Sequence, residues 1–371
     1  MHSSLVRYLL VFCTLLLLSP SFAEAAQYTV SGKFSYKGLD NQLHPGWNWL
    51  VKLWWEKPNG NWKDLGSRYI PPDGNWSISF NESGYKGQNL RIQYRAGSYF
   101  VMFQRENESE YWWGDPVQSN ISNNFNIGHR VADTSTGGTV AGLGDVQYNA
   151  YRYWNKFTAA GINPERSDQI DVFFPNDFFD CGDGSGNPWS CASKGGDIWL
   201  IGSHTNETVI MHELAHQTNN EFWGNKGPPG EGGSHLLSNC YNDGLALSEG
   251  YANAVPMWVI YGEKADSAPL SGSIDVESPD PSTICNGDTN ETWVAAAFWD
   301  LLDHHSDDVD STDGASDALY FVNPAHVFAL YFDAGVQNGM KNFRQIYRNA
   351  SSTGHEPYID EIYENNTISV P

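Results

Sequence analysis

Positive charge is scarce in this 371-residue sequence: 21 Lys and Arg stand against 44 Asp and Glu, a formal net charge of −23. That balance argues against a nucleic-acid partner, because phosphate contacts draw on clustered Lys and Arg. Cysteine is sparse as well, five in all, and no two of them have the C-x2-C spacing of structural zinc modules. Beyond the N-terminus no apolar run approaches the ~20 residues that cross a bilayer. Asn366 to Pro371 form neither a hydrophobic anchor tail nor an ER-retention signal. No membrane anchor is expected, and no internal repeat of ~20–50 residues is visible. Charged residues make up only 18% of the chain, while aromatics reach 14%, which suits a packed core and excludes a disordered polyanion.

What is present begins with an export signal. Arg7, an apolar run from Leu9 to Leu18 broken by Thr14, Pro20 and the small-residue site Ala23-Glu24-Ala25 read as a cleaved signal peptide over residues 1–25. A secreted, extracellular, monomeric protein is expected. Cys13 leaves with the signal, so Cys181, Cys191, Cys240 and Cys285 are an even set suited to two disulfides in an oxidising compartment. Of the three pairings, Cys181 with Cys191 is favoured because the Gly- and Asp-rich segment between them can turn back. Cys240 with Cys285 follows by elimination. Asn-x-Ser/Thr sequons at Asn75, Asn81, Asn107, Asn120, Asn206, Asn290, Asn349 and Asn365 point to a glycoprotein.

From residue 26 to 130 short alternating segments are separated by turn clusters such as Pro58-Asn-Gly and Pro71-Pro-Asp-Gly, the pattern of an antiparallel β-sandwich. Tryptophans at 47, 49, 54, 55, 62 and 76 offer either sheet packing, the preferred reading, or a sugar-binding platform. A Gly-rich stretch within 131–144 reads as a linker. After it Tyr148, Tyr151, Trp154 and Phe157 follow helical spacing, and Ile170 to Phe174 and Asp197 to Gly202 read as strands. The fold class expected is multidomain: an N-terminal all-β sandwich followed by an α+β domain over 145–371.

Chemistry concentrates at His212-Glu213-Leu-Ala-His216, the pattern H-E-x-x-H. On a helix positions i and i+4 share a face, so both imidazoles can reach one metal ion while Glu213 stands beside them. Catalytic zinc takes a third protein ligand. The spacing H-x-x-G-x-x-H is excluded, because Asn219 and Phe222 occupy the required positions. Glu249, 33 residues after His216 in the helical segment Leu245-Ala-Leu-Ser-Glu-Gly-Tyr-Ala, supplies the ligand instead.

The combination H-E-L-A-H with a downstream S-E-G-Y-A resembles the gluzincin, thermolysin-like metallopeptidases, and Thr292-Trp-Val-Ala-Ala-Ala-Phe-Trp-Asp-Leu-Leu-Asp resembles a helix of their secreted members. The likeness covers roughly residues 145–370. It implies a zincin-like catalytic domain with His212, His216 and Glu249 as zinc ligands and Glu213 as general base. Where the family often has Asp one turn after the Glu ligand, orienting a metal-binding histidine, this chain has Asn253. An amide there is expected to keep that supporting role with a weaker electrostatic push. The N-terminal segment resembles transthyretin-like accessory domains.

The function expected is a secreted zinc endopeptidase hydrolysing peptide or protein substrates through a metal-activated water with Glu213 as base. The oxyanion donor is left among Tyr241, Tyr251, His235, His304 and His305. The alternative is a secreted glycan-binding or adhesion protein with a catalytically silent zincin domain. Calcium has a weaker case in the acidic run from Asp300 to Asp317 and near Asp177, Asp180 and Asp183, where solvated acidic loops are preferred.

Overall fold

The computed structural model describes residues 27–81, 87–132, 139–163, 169–182, 184, 186–193, 196–230, 235–262, 268–271, 274–276, 285, 287–302, 323–333, 335, 339–350 and 356–368. The expected signal segment, most of the acidic run after Asp300, and Asp183, His304 and His305 lie outside them.

The described residues open with ten strands: β1 (Gln27–Lys37), β2 (Leu43–Pro45), β3 (Leu50–Glu56), β4 (Trp62–Tyr69), β5 (Asn75–Asn81), β6 (Gln88–Arg95), β7 (Val101–Gln104), β8 (Trp112–Gly114), β9 (Gln118–Ile121) and β10 (Phe125–Ala132). Strict alternation drives them: in β5 the buried residues are Trp76, Ile78 and Phe80, with polar neighbours outward. One sheet joins β10, β1, β2 and β5, the other β4, β3, β6, β8 and β9. Phe34 and Tyr94 stack between the sheets at 4.1 Å.

Two details depart from the expected sandwich. β1 pairs with β10 in parallel, so the first sheet is not wholly antiparallel. β7 leaves the sandwich altogether and pairs in parallel with β11 (Ile170–Phe173), Ile170 opposite Val101. This third sheet continues through β13 (Ile198–Trp199) to the edge strand β12 (Cys191–Ala192). A division at residue 130 therefore cuts through shared backbone pairing, and one continuous core runs from Val30 to Ile368.

Residues 133–138 of the expected linker lie outside the described residues. α1 (Thr139–Ala159) begins inside that linker, and its glycines serve close packing. A Cβ on Gly144 would stand 2.3 Å from the Tyr36 ring, so the small residue lets the helix lie on β1. Asp145 Oδ2 accepts from the Leu39 N–H at 2.9 Å, and Gln147 Oε1 from that of Gly97 at 3.0 Å. Of the tryptophans, Trp49, Trp55 and Trp76 are buried in the sandwich. Trp47 packs edge-on against Tyr151 at 4.2 Å, and Trp54 and Trp62 carry Lys52 and Arg91 over their rings.

Among the described residues six further helices follow: α2 (Glu207–Phe222), α3 (Asp243–Tyr261), α4 (Glu291–Leu302), α5 (Pro324–Asp333), α6 (Met340–Ala350) and α7 (Glu356–Asn365), with a small hairpin β14–β15 (Pro269–Ser271, Ile274–Asp275) after α3. The chain thus runs from a β-rich region into a helical one. Among the described residues no helix is long and apolar enough to cross a membrane.

Candidate metal centre

α2 starts at the N-cap Asn206, whose side chain accepts from the Val209 N–H and so satisfies a donor of the first turn. Ile210, Met211, Leu214 and Ala215 are buried, which fixes the rotation of the helix against the core. Thr218 Oγ1 meets the Tyr153 hydroxyl on α1 at 2.6 Å, and Gln217 Nε2 donates to the carbonyls of Ser193 and Asp197 at 2.6 and 3.1 Å. The helix runs on past the buried Asn219 and Asn220 and ends at Phe222.

Held this way, α2 presents His212 and His216 with their Nε2 atoms 3.1 Å apart. Glu249 on α3 places Oε2 at 3.2 Å from each. Tetrahedral nitrogen and oxygen ligands about 2.0–2.1 Å from a common zinc ion lie about 3.3–3.4 Å from one another, so this triangle has the size the ion requires. Burial works against the ionised form of Glu249, but His216 and His212 hold its carboxyl well below the ordinary range. Beside them Glu213 is buried, and burial, added to by the field of Glu249, pushes it up to about 7 against the pull of His212, His235 and the Ala192 N–H. That backbone contact sets the edge strand β12 next to Glu213.

α3 reaches the site through a close approach. A Cβ on Gly250 would stand 2.5 Å from Val294 Cβ and 2.9 Å from the Glu291 carbonyl, so the glycine after the ligand brings α4 against α3. Glu291, fully buried at the start of α4, thereby enters the site.

Asn253 does not support a histidine here. Its Nδ2 donates to Glu291 Oε2 at 3.3 Å, while Ser248 Oγ lies 3.4 Å from His216 Nδ1. The turn of α3 that carries Glu249 points Asn253 at α4, which corrects the sequence expectation. Neither Ser248 nor Glu291 stood out in the sequence; an acidic residue opening an otherwise apolar helix was the available signal for the latter.

The oxyanion candidates separate. His235 is at the site: its Nε2 is 3.2 Å from Glu249 Oε2 and its Nδ1 3.0 Å from Glu291 Oε2. Burial would lower its pKa, but the hydrogen bond to Glu291 and the fields of Glu249, Glu291 and Glu213 outweigh it and push the imidazole up to about 9. Tyr241 spends its hydroxyl on the Leu236 backbone N–H. Tyr251 is fully buried among Phe298, Phe328 and Tyr331.

The remaining residues fall away from the site. Disulfides join Cys181 to Cys191 and Cys240 to Cys285, the favoured pairing. Asp180 accepts from the Gly182 and Gly186 backbone N–H groups and closes a turn. Asn75, Asn81, Asn107, Asn120, Asn206 and Asn349 are exposed; the Asn365 side chain is outside the described residues. Asn290 is fully buried, with Nδ2 donating to the carbonyls of Leu237 and Asn239 at 2.9 and 3.0 Å. A glycan there would have to break both bonds, so this sequon is corrected to a structural amide.

The model of the mycolysin C-terminal domain family matches residues 181–353, somewhat under half of the chain, and that stretch holds both disulfides and every residue of the His and Glu cluster. The match relates this part of the chain to a metallopeptidase-associated family. No curated protein matches the chain. Among solved structures, a 9R-lipoxygenase from Cyanothece PCC8801 shares 15% identity over 44% of this chain and 29% of its own, with a TM-score of 0.20, too low to bear on fold or function.

Proposed function

We propose that the protein is a secreted zinc-dependent endopeptidase with a zincin-like catalytic region. The single observation that carries this is the triangle of His212 Nε2, His216 Nε2 and Glu249 Oε2, with edges of 3.1–3.2 Å and a buried carboxylate, Glu213, beside it. The donor chemistry suits zinc, which takes imidazole and carboxylate ligands and in catalytic sites leaves a position open. When bound there, zinc supplies Lewis-acid polarisation of a substrate carbonyl and acidifies water.

The chain's own residues do the rest. Glu213, poised near pH 7 by its burial, takes a proton from the attacking water and returns it to the leaving amine. The Ala192 N–H holds that carboxylate in place. His235 lies beside the proposed ligand Glu249, its Nε2 3.2 Å from Glu249 Oε2. The family match supports a protease-related, extracellular setting, and two disulfides suit an oxidising compartment. The net charge of −23 favours neutral or basic peptides over anionic ones.

The test is digestion of an unfolded protein substrate with metal analysis. About one zinc per chain and cleavage abolished by a chelator, then restored by zinc, is the expected outcome. A metal-free protein, or cleavage indifferent to chelation, contradicts the assignment.

A further inference from the structure

Beyond the ligand triangle, a chain of side chains extends outward from Glu249. It runs from Glu249 to His235, from His235 to Glu291, and from Glu291 to Asn253 on the same helix as Glu249. His235 comes from the connection between α2 and α3, and that connection is fastened to the start of α4 at several points. Asn290 Nδ2 donates to the Leu237 and Asn239 carbonyls, Thr292 Oγ1 donates to Leu237 at 3.0 Å, and the Tyr241 N–H donates to the Thr289 carbonyl at 2.7 Å. The Cys240–Cys285 disulfide ties the same segment to the residues before α4. Asn290, Glu291 and Thr292, which read as a sequon, thus spend all three side chains on the loop and its histidine.

We infer that His235 is a positioning residue for the metal site, holding the Glu249 carboxylate in its ligating orientation while Glu291 and the clamp at the start of α4 hold His235. This rests on the zinc-ligand role proposed for Glu249. Each ring nitrogen of His235 faces a carboxylate, Nε2 toward Glu249 and Nδ1 toward Glu291, so neither nitrogen is free for a metal without breaking one of these contacts. A carboxylate ligand fixed through its hydrogen bonds loses less freedom when the ion binds, and partners of this kind are worth about 10–100-fold in metal affinity. Asn253 completes a closed path: it orients Glu291 from the same helix that carries the ligand.

The experiment measures zinc affinity by competition with a chromophoric chelator for the full-length protein and for His235→Gln, His235→Phe, Glu291→Gln and His235→Gln/Glu291→Gln, with circular dichroism confirming the fold of each. His235 lies in a half-exposed loop, and two substitutions there keep the test available if one misfolds. Each single variant is expected to bind zinc about 10–100-fold more weakly. The double variant should be no weaker than the worse single, because the two act through one contact. Cobalt-loaded variants should retain the visible absorption band of the cobalt-loaded wild type, since the three ligands remain. Wild-type affinity in both His235 variants overturns the inference, as does full additivity in the double variant. A cobalt band altered by His235→Gln and not by Glu291→Gln makes His235 a ligand and overturns it too. These outcomes leave the peptidase assignment standing, whereas a wild type that binds no zinc removes both.

Discussion

A Cβ placed on Gly250 would meet Val294 Cβ at 2.5 Å, so the residue directly after Glu249 sets how closely α4 can approach the metal site. Gly250→Ala is expected to force the two helices apart, at a cost of about 1–3 kcal/mol for overpacking a buried contact. Glu291 would move with α4, so zinc affinity should fall as well. Denaturant unfolding of the metal-free variant and a chelator competition check the two effects separately.

The sequon at Asn290 is expected to remain unmodified. Material expressed through a eukaryotic secretory route and mapped by mass spectrometry should carry glycans only at exposed acceptors such as Asn107 or Asn206. Asn290→Ala should be destabilising, by about 1–3 kcal/mol, because the Leu237 and Asn239 carbonyls lose their buried donor.

Loss of the Cys240–Cys285 bridge, which spans 45 residues, is expected to cost about 4 kcal/mol on a chain-entropy account. The Cys181–Cys191 bridge spans 10 and should cost about 3 kcal/mol. Paired Cys→Ser variants compared by thermal unfolding give the order. Only the first should also weaken zinc binding, since it alone anchors the segment that carries His235.

Tyr153 joins α1 to α2 through its hydroxyl on Thr218 and is fully buried. Tyr153→Phe should cost about 1 kcal/mol, the net worth of one hydrogen bond. Zinc affinity should hold, because Gln217 and the buried face of α2 keep the histidines in place. Equilibrium unfolding and chelator competition on one preparation test both statements.

Much of the site was legible in the sequence because it obeys local rules. His212 and His216 follow from i, i+4 spacing on an apolar helix, and Glu249 from the need for a third ligand. The strands of the sandwich follow from alternation, as in β5. Long-range pairing was not legible: nothing local to Val101–Gln104 says that β7 joins β11 rather than its sandwich neighbours. Gly142 and Gly144 read as flexible because packing against Tyr36 and Phe174 is a property of the tertiary fold. Asn253 was assigned to a histidine because the sequence could not reveal that Gly250 admits α4, which brings a better partner, Glu291, within 3.3 Å.

The most direct measurement of the central claim is peptide hydrolysis by Glu213→Gln alongside its zinc content. The substitution preserves shape and removes the base. The variant should bind zinc as the wild type does and lose at least about 100-fold in kcat. Undiminished hydrolysis with zinc bound would contradict the account.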